Sequence, residues 1–240
     1  MNLDRNMSSA EIKLNLINLI LKSDFENWNK SKSKTDIYIK LLLLLGINLN
    51  EEIEKEVADI EIDNMKEFGS LNSPKFFIIN EIQNVFDQHV QYCEFLHIYF
   101  IKNAQGISLL FRFNNASTNI SDDVKFLSDD VVYVLSGQNL HMVTNEDAAT
   151  YVVNYKDFYN AQQFDHSRFS YTQYITFETE NIRNNFKGFP ASTKLLAAAK
   201  NDPIDGRLRQ NIILEIEKDR VSNPQTLLDI AFFNIGNMQP

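Results

Sequence analysis

The chain is expected to fold as an α+β protein, on three observations. Apolar residues recur at helical spacing over the first 91 residues, alternate from Tyr92 onward, and return to helical spacing after Pro190. The expected architecture is an N-terminal bundle of about four helices, with C-terminal helices, packed on a mainly antiparallel sheet of five or six strands. No low-complexity linker divides the 240 residues, so one domain is expected: a helical region over 1–91, a sheet region over 92–180 and a second helical region over 190–240.

Residues 10–22 (AEIKLNLINLILK) carry a narrow polar stripe, Glu11, Asn15, Asn18 and Lys22, on an otherwise apolar circumference. Residues 24–34 are polar and read as a solvated connector, with Trp28 as a packing anchor. Residues 35–45 form a second helix, apolar nearly all round and stopped by Gly46. Asn50 is placed to cap a third helix reaching Phe68, with Ile53, Val57, Ile60, Met65 and Phe68 as its buried stripe. Its opposite face, with Glu54, Glu56, Asp59, Glu61 and Asp63, reads as solvated surface or as a docking surface for a basic partner. Ser73-Pro74 has the pattern of an N-cap followed by proline at the first helical position. It predicts a fourth helix to about Gln91, with Ile78, Ile82, Val85, Phe86 and Val90 inward.

The segment Tyr92–Asn114 then reads as a hairpin turning at Asn103-Ala104-Gln105-Gly106. Its register sets Leu96 against Phe113, Ile98 against Phe111 and Phe100 against Leu109 on one fully apolar face, expected to pack on helices. The other face sets Phe95 against Asn114, His97 against Arg112, Tyr99 against Leu110 and Ile101 against Ser108, and is mixed in polarity. A short strand is expected over 124–127, and a second hairpin joins 131–135 to 140–144 with Gly137 at the first central position of a type II′ turn. Further strands are expected at 150–155 and 172–178, with an aromatic, polar loop or short helix between them. Residues 191–200 (ASTKLLAAAK) and 224–236 read as helices. For 207–219 a helix is expected, with the alternation of Ile212, Leu214 and Ile216 keeping an edge strand open.

Composition narrows the classes of function. A net charge of −9 argues against general nucleic-acid binding, which rests on excess Lys and Arg. The single cysteine, Cys93, forms no internal disulfide, so a reducing, cytoplasmic setting is expected. No secretory leader is read in the first residues, and the longest uninterrupted apolar run, Leu41–Leu45, is too short to span a bilayer. There is no Gly-rich phosphate loop, GxSxG, HExxH or paired CxxC, and no cofactor is expected.

Four constellations could carry chemistry. His89, Cys93 and His97 would stack as metal ligands on a continuous helix, although His97 falls in strand-like sequence. His97 and Arg112, with Tyr99 diagonal to them, could bind an anion, or could satisfy carboxylates from a covering element. Asp165, His166, Ser167 and Arg168 combine nucleophile-type residues and a cation in a loop, where adjacent residues seldom converge as a triad must. Asp122, Asp123, Asp129, Asp130, Glu146 and Asp147 could gather around a divalent cation, or serve as solvated turn residues. Aromatics crowd 151–189 and could stack single-stranded nucleic acid or fill a core. The basic residues Arg183, Lys187, Lys194, Lys200, Arg207, Arg209 and Arg220 could meet the acidic face of the 50–68 helix.

The expectation for function is a non-enzymatic interaction or assembly subunit, meeting other protein chains or copies of itself. The contrasting expectation is a metal-dependent hydrolase or nuclease built on the acidic turns and a histidine. The two differ in whether carboxylates and histidines converge in a cleft.

Overall fold

The computed structural model describes residues 50–80, 82–89, 92–93, 95–115, 126–179, 192–202, 206–217, 230–235 and 237–239. They belong to one compact unit, Leu49–Asn115 with Phe126–Pro240. In chain order they form β1 (Asn50–Ile53), α1 (Lys55–Asn64), a 3₁₀ turn (Met65–Leu71), β2 (Phe76–Asn80) and α2 (Ile82–His89). There follow β3 (Phe95–Asn103), β4 (Gly106–Asn114), β5 (Val131–Ser136), β6 (Asn139–Met142), α3 (Asn145–Asn160) and β7 (Tyr174–Glu178). The last elements are β8 (Ser192–Asn201), β9 (Leu208–Glu217), β10 (Ile230–Ile235) and β11 (Asn237–Gln239).

Among the described residues the strands make two antiparallel sheets. One runs β1-β10-β9-β8-β2 and the other β11-β7-β3-β4-β5-β6. Among the described residues the fold is a two-sheet assembly with three α-helices, and the expected four-helix N-terminal bundle is overturned there: Asn50–Ile53 is strand, so Asn50 caps no helix, and Phe76–Asn80 is strand as well. The predicted helices over 10–22 and 35–45, and the Trp28 connector, lie outside the described residues.

Both hairpins have the register read from the sequence, from Phe95 opposite Asn114 to Asn103 opposite Gly106. Tyr133 opposes Met142 and Val134 opposes His141. Gly137 supplies the positive φ (63°) that a two-residue turn of this hand requires. The apolar face of the β3–β4 hairpin packs on helices, as expected, with Phe113 against Phe86 of α2 and Phe100 against Tyr155 of α3, and it also packs on the other sheet. Leu96, Ile98, Phe100, Leu109 and Phe111 share a core with Phe77 and Ile79 of β2, Leu195 and Ala197 of β8, and Ile212 and Leu214 of β9.

Four segments correct the sequence reading, each where tertiary packing outweighs a local preference. Phe76–Asn80 is strand despite Ser73-Pro74, because its β-branched and aromatic residues alternate between the core (Phe77, Ile79) and the outside. Residues 192–201 are strand β8 although Leu, Ala and Lys favour helix. This strand lies between β2 and β9 with both faces buried, so Leu195 and Ala197 enter the main core while Leu196 and Ala198 pack under α1. β9 is a central strand and not an edge, and 230–235 is strand β10 instead of helix. Conversely 150–155 is helical, inside α3, and Phe126 and Leu127 are irregular.

α3 starts where Thr144 Oγ1 accepts the Asp147 N–H (3.1 Å) while donating to Asp147 Oδ2 (2.8 Å). Ala148, Val152, Tyr155 and Tyr159 then form its buried stripe. Tyr155 stacks on Phe100 and donates to Gln210 Oε1 (2.6 Å), tying the helix to both sheets. Thr144→Ala is expected to cost about 1 kcal/mol and Thr144→Ser almost nothing, read as a shift in urea midpoint at constant m-value.

α1 lies on the outer face of β8 and β9, rotated from its predicted orientation. Ala58 packs on Leu196, Ala198 and Ile213, and Glu61 is buried beside Asn211 (Nδ2 to Oε2, 3.3 Å). Val57 and Ile60, expected inward, are 42% and 61% exposed. A small residue permits close approach to the sheet, and the buried carboxylate has a donor to meet it. Glu61 also sits within electrostatic reach of Lys200, joining one residue of the acidic helix face to one of the basic C-terminal segment. No helix among the described residues is long and apolar enough to cross a membrane.

Candidate functional site

The mixed face of the β3–β4 hairpin holds a buried polar network. β3 and β4 set His97 opposite Arg112, and β7 sets Thr176 opposite His97. His97 Nε2 donates to Asn114 Oδ1 (3.2 Å), which leaves Nδ1 to accept from Thr176 Oγ1 (2.9 Å). Arg112 Nη1 donates to Tyr99 Oη (3.2 Å) and Arg112 Nη2 meets Asp130 Oδ2 at 2.5 Å. The same carboxylate oxygen receives the Leu127 N–H (2.5 Å), and the Phe126 ring lies 4.9 Å from the guanidinium. Both side chains of the ion pair are fully shielded from solvent. Burial pushes the His97 pKa down to about 3, and the Arg112 charge pushes the same way against the Asn114 hydrogen bond. Burial also raises the Tyr99 phenol, partly offset by Arg112. His97, Tyr99 and Arg112 thus come together as the register implied. The Arg112 charge, however, is matched by a carboxylate of the chain itself.

The remaining candidates are dispersed. α2 ends at His89 and β3 begins at Phe95, so His89, Cys93 and His97 do not share a helix. His89 Nε2 lies 2.8 Å from Tyr133 Oη, and burial raises the Cys93 thiol, assisted by the charges of Asp130 and Asp129. Asp129 is exposed, and Asp147 belongs to the cap of α3. Asp123 lies outside the described residues, as does Asp122. His166 is exposed in a turn where Asp165 accepts from the Ser167 backbone and hydroxyl, and Arg168 pairs with Glu67 at 3.3 Å on the surface. Among the described residues no three His, Cys, Asp or Glu side chains are grouped to hold a metal ion. Much of the aromatic crowd is internal: Tyr155, Tyr159, Phe169, Tyr174 and Phe177 are buried.

No family model, curated protein or solved structure matches this chain. The site therefore rests on its own geometry.

A second feature lies where the two sheets part. Among the described residues β2 is the edge strand of the five-stranded sheet, and a groove of about 420 Å³ runs beside it. One wall is Pro74, Phe76 and Ile78; the other is Gln105, Ile107 and Gln138, from the ends of the two hairpins. That second wall is braced by Ser108 Oγ donating to Leu135 O (2.6 Å) and Ser136 Oγ donating to Gln105 Oε1 (3.0 Å). Asn80 closes one end, its N–H donating to Gln138 O (2.7 Å) and its Nδ2 to Gln138 Oε1 (3.2 Å). Phe76, at the other end, is 47% exposed. Sequence reasoning missed this groove because 74–91 reads as helix. The available signal was the run Phe76-Phe77-Ile78-Ile79, whose β-branched and aromatic content argues for strand.

Proposed function

We propose that this protein is a protein–protein interaction module that receives a segment of a partner protein in the groove beside β2. The observation that carries this reading is an edge strand without a charged residue (FFIIN) flanking a braced, partly apolar groove. Edges of this kind are usually blunted by lysine, proline or a bulge within the strand, because they offer themselves to other chains. Here the nearest such residues, Pro74 and Lys75, precede the strand, and among the described residues its outward backbone is bonded at Asn80, to Gln138. Concave sites that combine apolar lining with a few fixed polar groups are where partners and ligands bind. The amides of Gln105 and Gln138 are such groups, held by Ser136 and Asn80.

A photo-crosslinking residue placed at Gln105 or Gln138 tests the reading in cells that make the full chain. Both positions are expected to give the same discrete protein adduct, absent when the label is at exposed Val153 on α3. Adducts identical to those from Val153, or none from either groove position, would overturn it.

A further inference from the structure

We infer that the partner segment binds as an added β-strand on β2, and that it is uncharged with an apolar residue at every second position. The inference rests on the groove reading above and specifies its ligand. β2 and β8 are antiparallel, and Ala197 N–H donates to Lys75 O (2.9 Å). In an antiparallel ladder, residues alternate between bonding the partner strand and pointing away from it. Lys75, Phe77 and Ile79 therefore bond toward β8, while the backbone N–H and C=O of Phe76, Ile78 and Asn80 point to the groove. The Asn80 N–H has this parity, since it is taken by Gln138 O across the groove mouth. Gln138 thus already stands where the next strand would be at one residue, and an extended chain would continue that pairing along Ile78 and Phe76.

The same alternation sets the side-chain rule. An added strand has one row of side chains turned between the sheets, over Phe77, Ile107 and Leu135, and the other turned outward beside Phe76 and Ile78. The inward row meets apolar surface, so apolar residues belong there. Among the described residues no lining residue is ionisable, so a charged side chain turned between the sheets would be desolvated without a counter-ion. Electrostatic complementarity here means neutrality. Backbone pairing with pockets for alternate side chains is the established physics of strand addition.

The test is selection from a displayed library of random peptides on the full chain, followed by anisotropy with the enriched peptides. Expected are sequences with a stretch of roughly five residues, the length of one strand, that lacks Asp, Glu, Lys and Arg and alternates apolar residues. Ile78→Pro removes an N–H that no β8 carbonyl uses, a change that edge strands tolerate. It is expected to weaken binding roughly tenfold, as when one shielded backbone hydrogen bond goes unmade, whereas Val153→Ala, on the exposed face of α3, binds as the parent does. If Ile78→Pro fails to fold, N-methylation of the peptide decides: alternate positions that face β2 abolish binding and the intervening ones do not. Peptides that a Gln105→Trp plug displaces, but that ignore both Ile78→Pro and N-methylation, would overturn strand addition while leaving the groove reading intact. Enrichment of charged or non-alternating sequences would overturn the side-chain rule, and no enrichment at all would overturn both readings.

Discussion

Arg112→Ala is expected to lose about 3–5 kcal/mol of folding stability, because it strands a buried carboxylate. Asp130 and Arg112 are both fully shielded and 2.5 Å apart at their closest atoms. Removing the guanidinium leaves Asp130 with the Leu127 N–H as a remaining donor and deprives Tyr99 Oη of its own. The charge, more than the lost bonds, sets the magnitude, so a neutral double substitution must recover most of it. Arg112→Met combined with Asp130→Asn is expected to be closer to the parent than Arg112→Ala is, since buried pairs are often replaceable by neutral groups of similar volume. Urea unfolding of the parent, Arg112→Ala and the double variant measures this. A loss under about 1 kcal/mol for Arg112→Ala, the range of an exposed pair, would show that water reaches the network.

Acid should destabilise the fold through His97 well above the range where carboxylates titrate. The imidazole is held neutral by burial, with its pKa pushed down from the ordinary 6.5 to about 3. Between these values the unfolded chain binds a proton that the native protein refuses. Stability is therefore fully present above pH 6.5 and falls as pH drops toward 3. The His97 contribution is about 1.4 kcal/mol per pH unit within that window. His97→Gln, which keeps a polar side chain between Thr176 and Asn114, is expected to flatten the dependence of stability on pH by that amount. Asp165, whose pKa is lowered by its Ser167 hydrogen bonds, acts in the same direction in both proteins and cancels from the comparison. Equal slopes for parent and variant between pH 6 and pH 4 would mean that His97 accepts its proton within the fold.

The features legible in the sequence were those set by a period of two and a tight turn. The β3–β4 register follows from alternation and the Asn103–Gly106 turn, and it alone brings His97, Tyr99 and Arg112 onto one face. What it does not reveal is the third dimension. Asp130 reads as a turn acid, and its second role as the counter-ion of Arg112 depends on a fold-back that no local pattern encodes. β8 shows the same limit from the other side. Its leucines, alanines and lysines favour helix in isolation, yet both neighbouring strands and α1 need a narrow strand there. The helix expected from Asn50 to Phe68 is borne out only over Lys55–Asn64, since Asn50–Ile53 is strand and Met65–Leu71 a 3₁₀ turn. Its rotation differs because Ala58 packs against the sheet in place of Val57 and Ile60. The groove was hidden by Pro74, whose place before a helix and before a strand look alike.

The pairing of Asn50 with Ile235 has a consequence for how the protein reaches its native state. Each sheet contains hairpins between near neighbours in sequence, β3–β4 and β5–β6 in one and β8–β9 in the other, which close at little entropic cost. The five-stranded sheet joins segments from widely separated stretches of the chain, β1 to β10 and β2 to β8. The β8–β9 hairpin can close early, but its apolar residues are expected to stay uncovered, and open to self-association, until distant partners such as β2 join it.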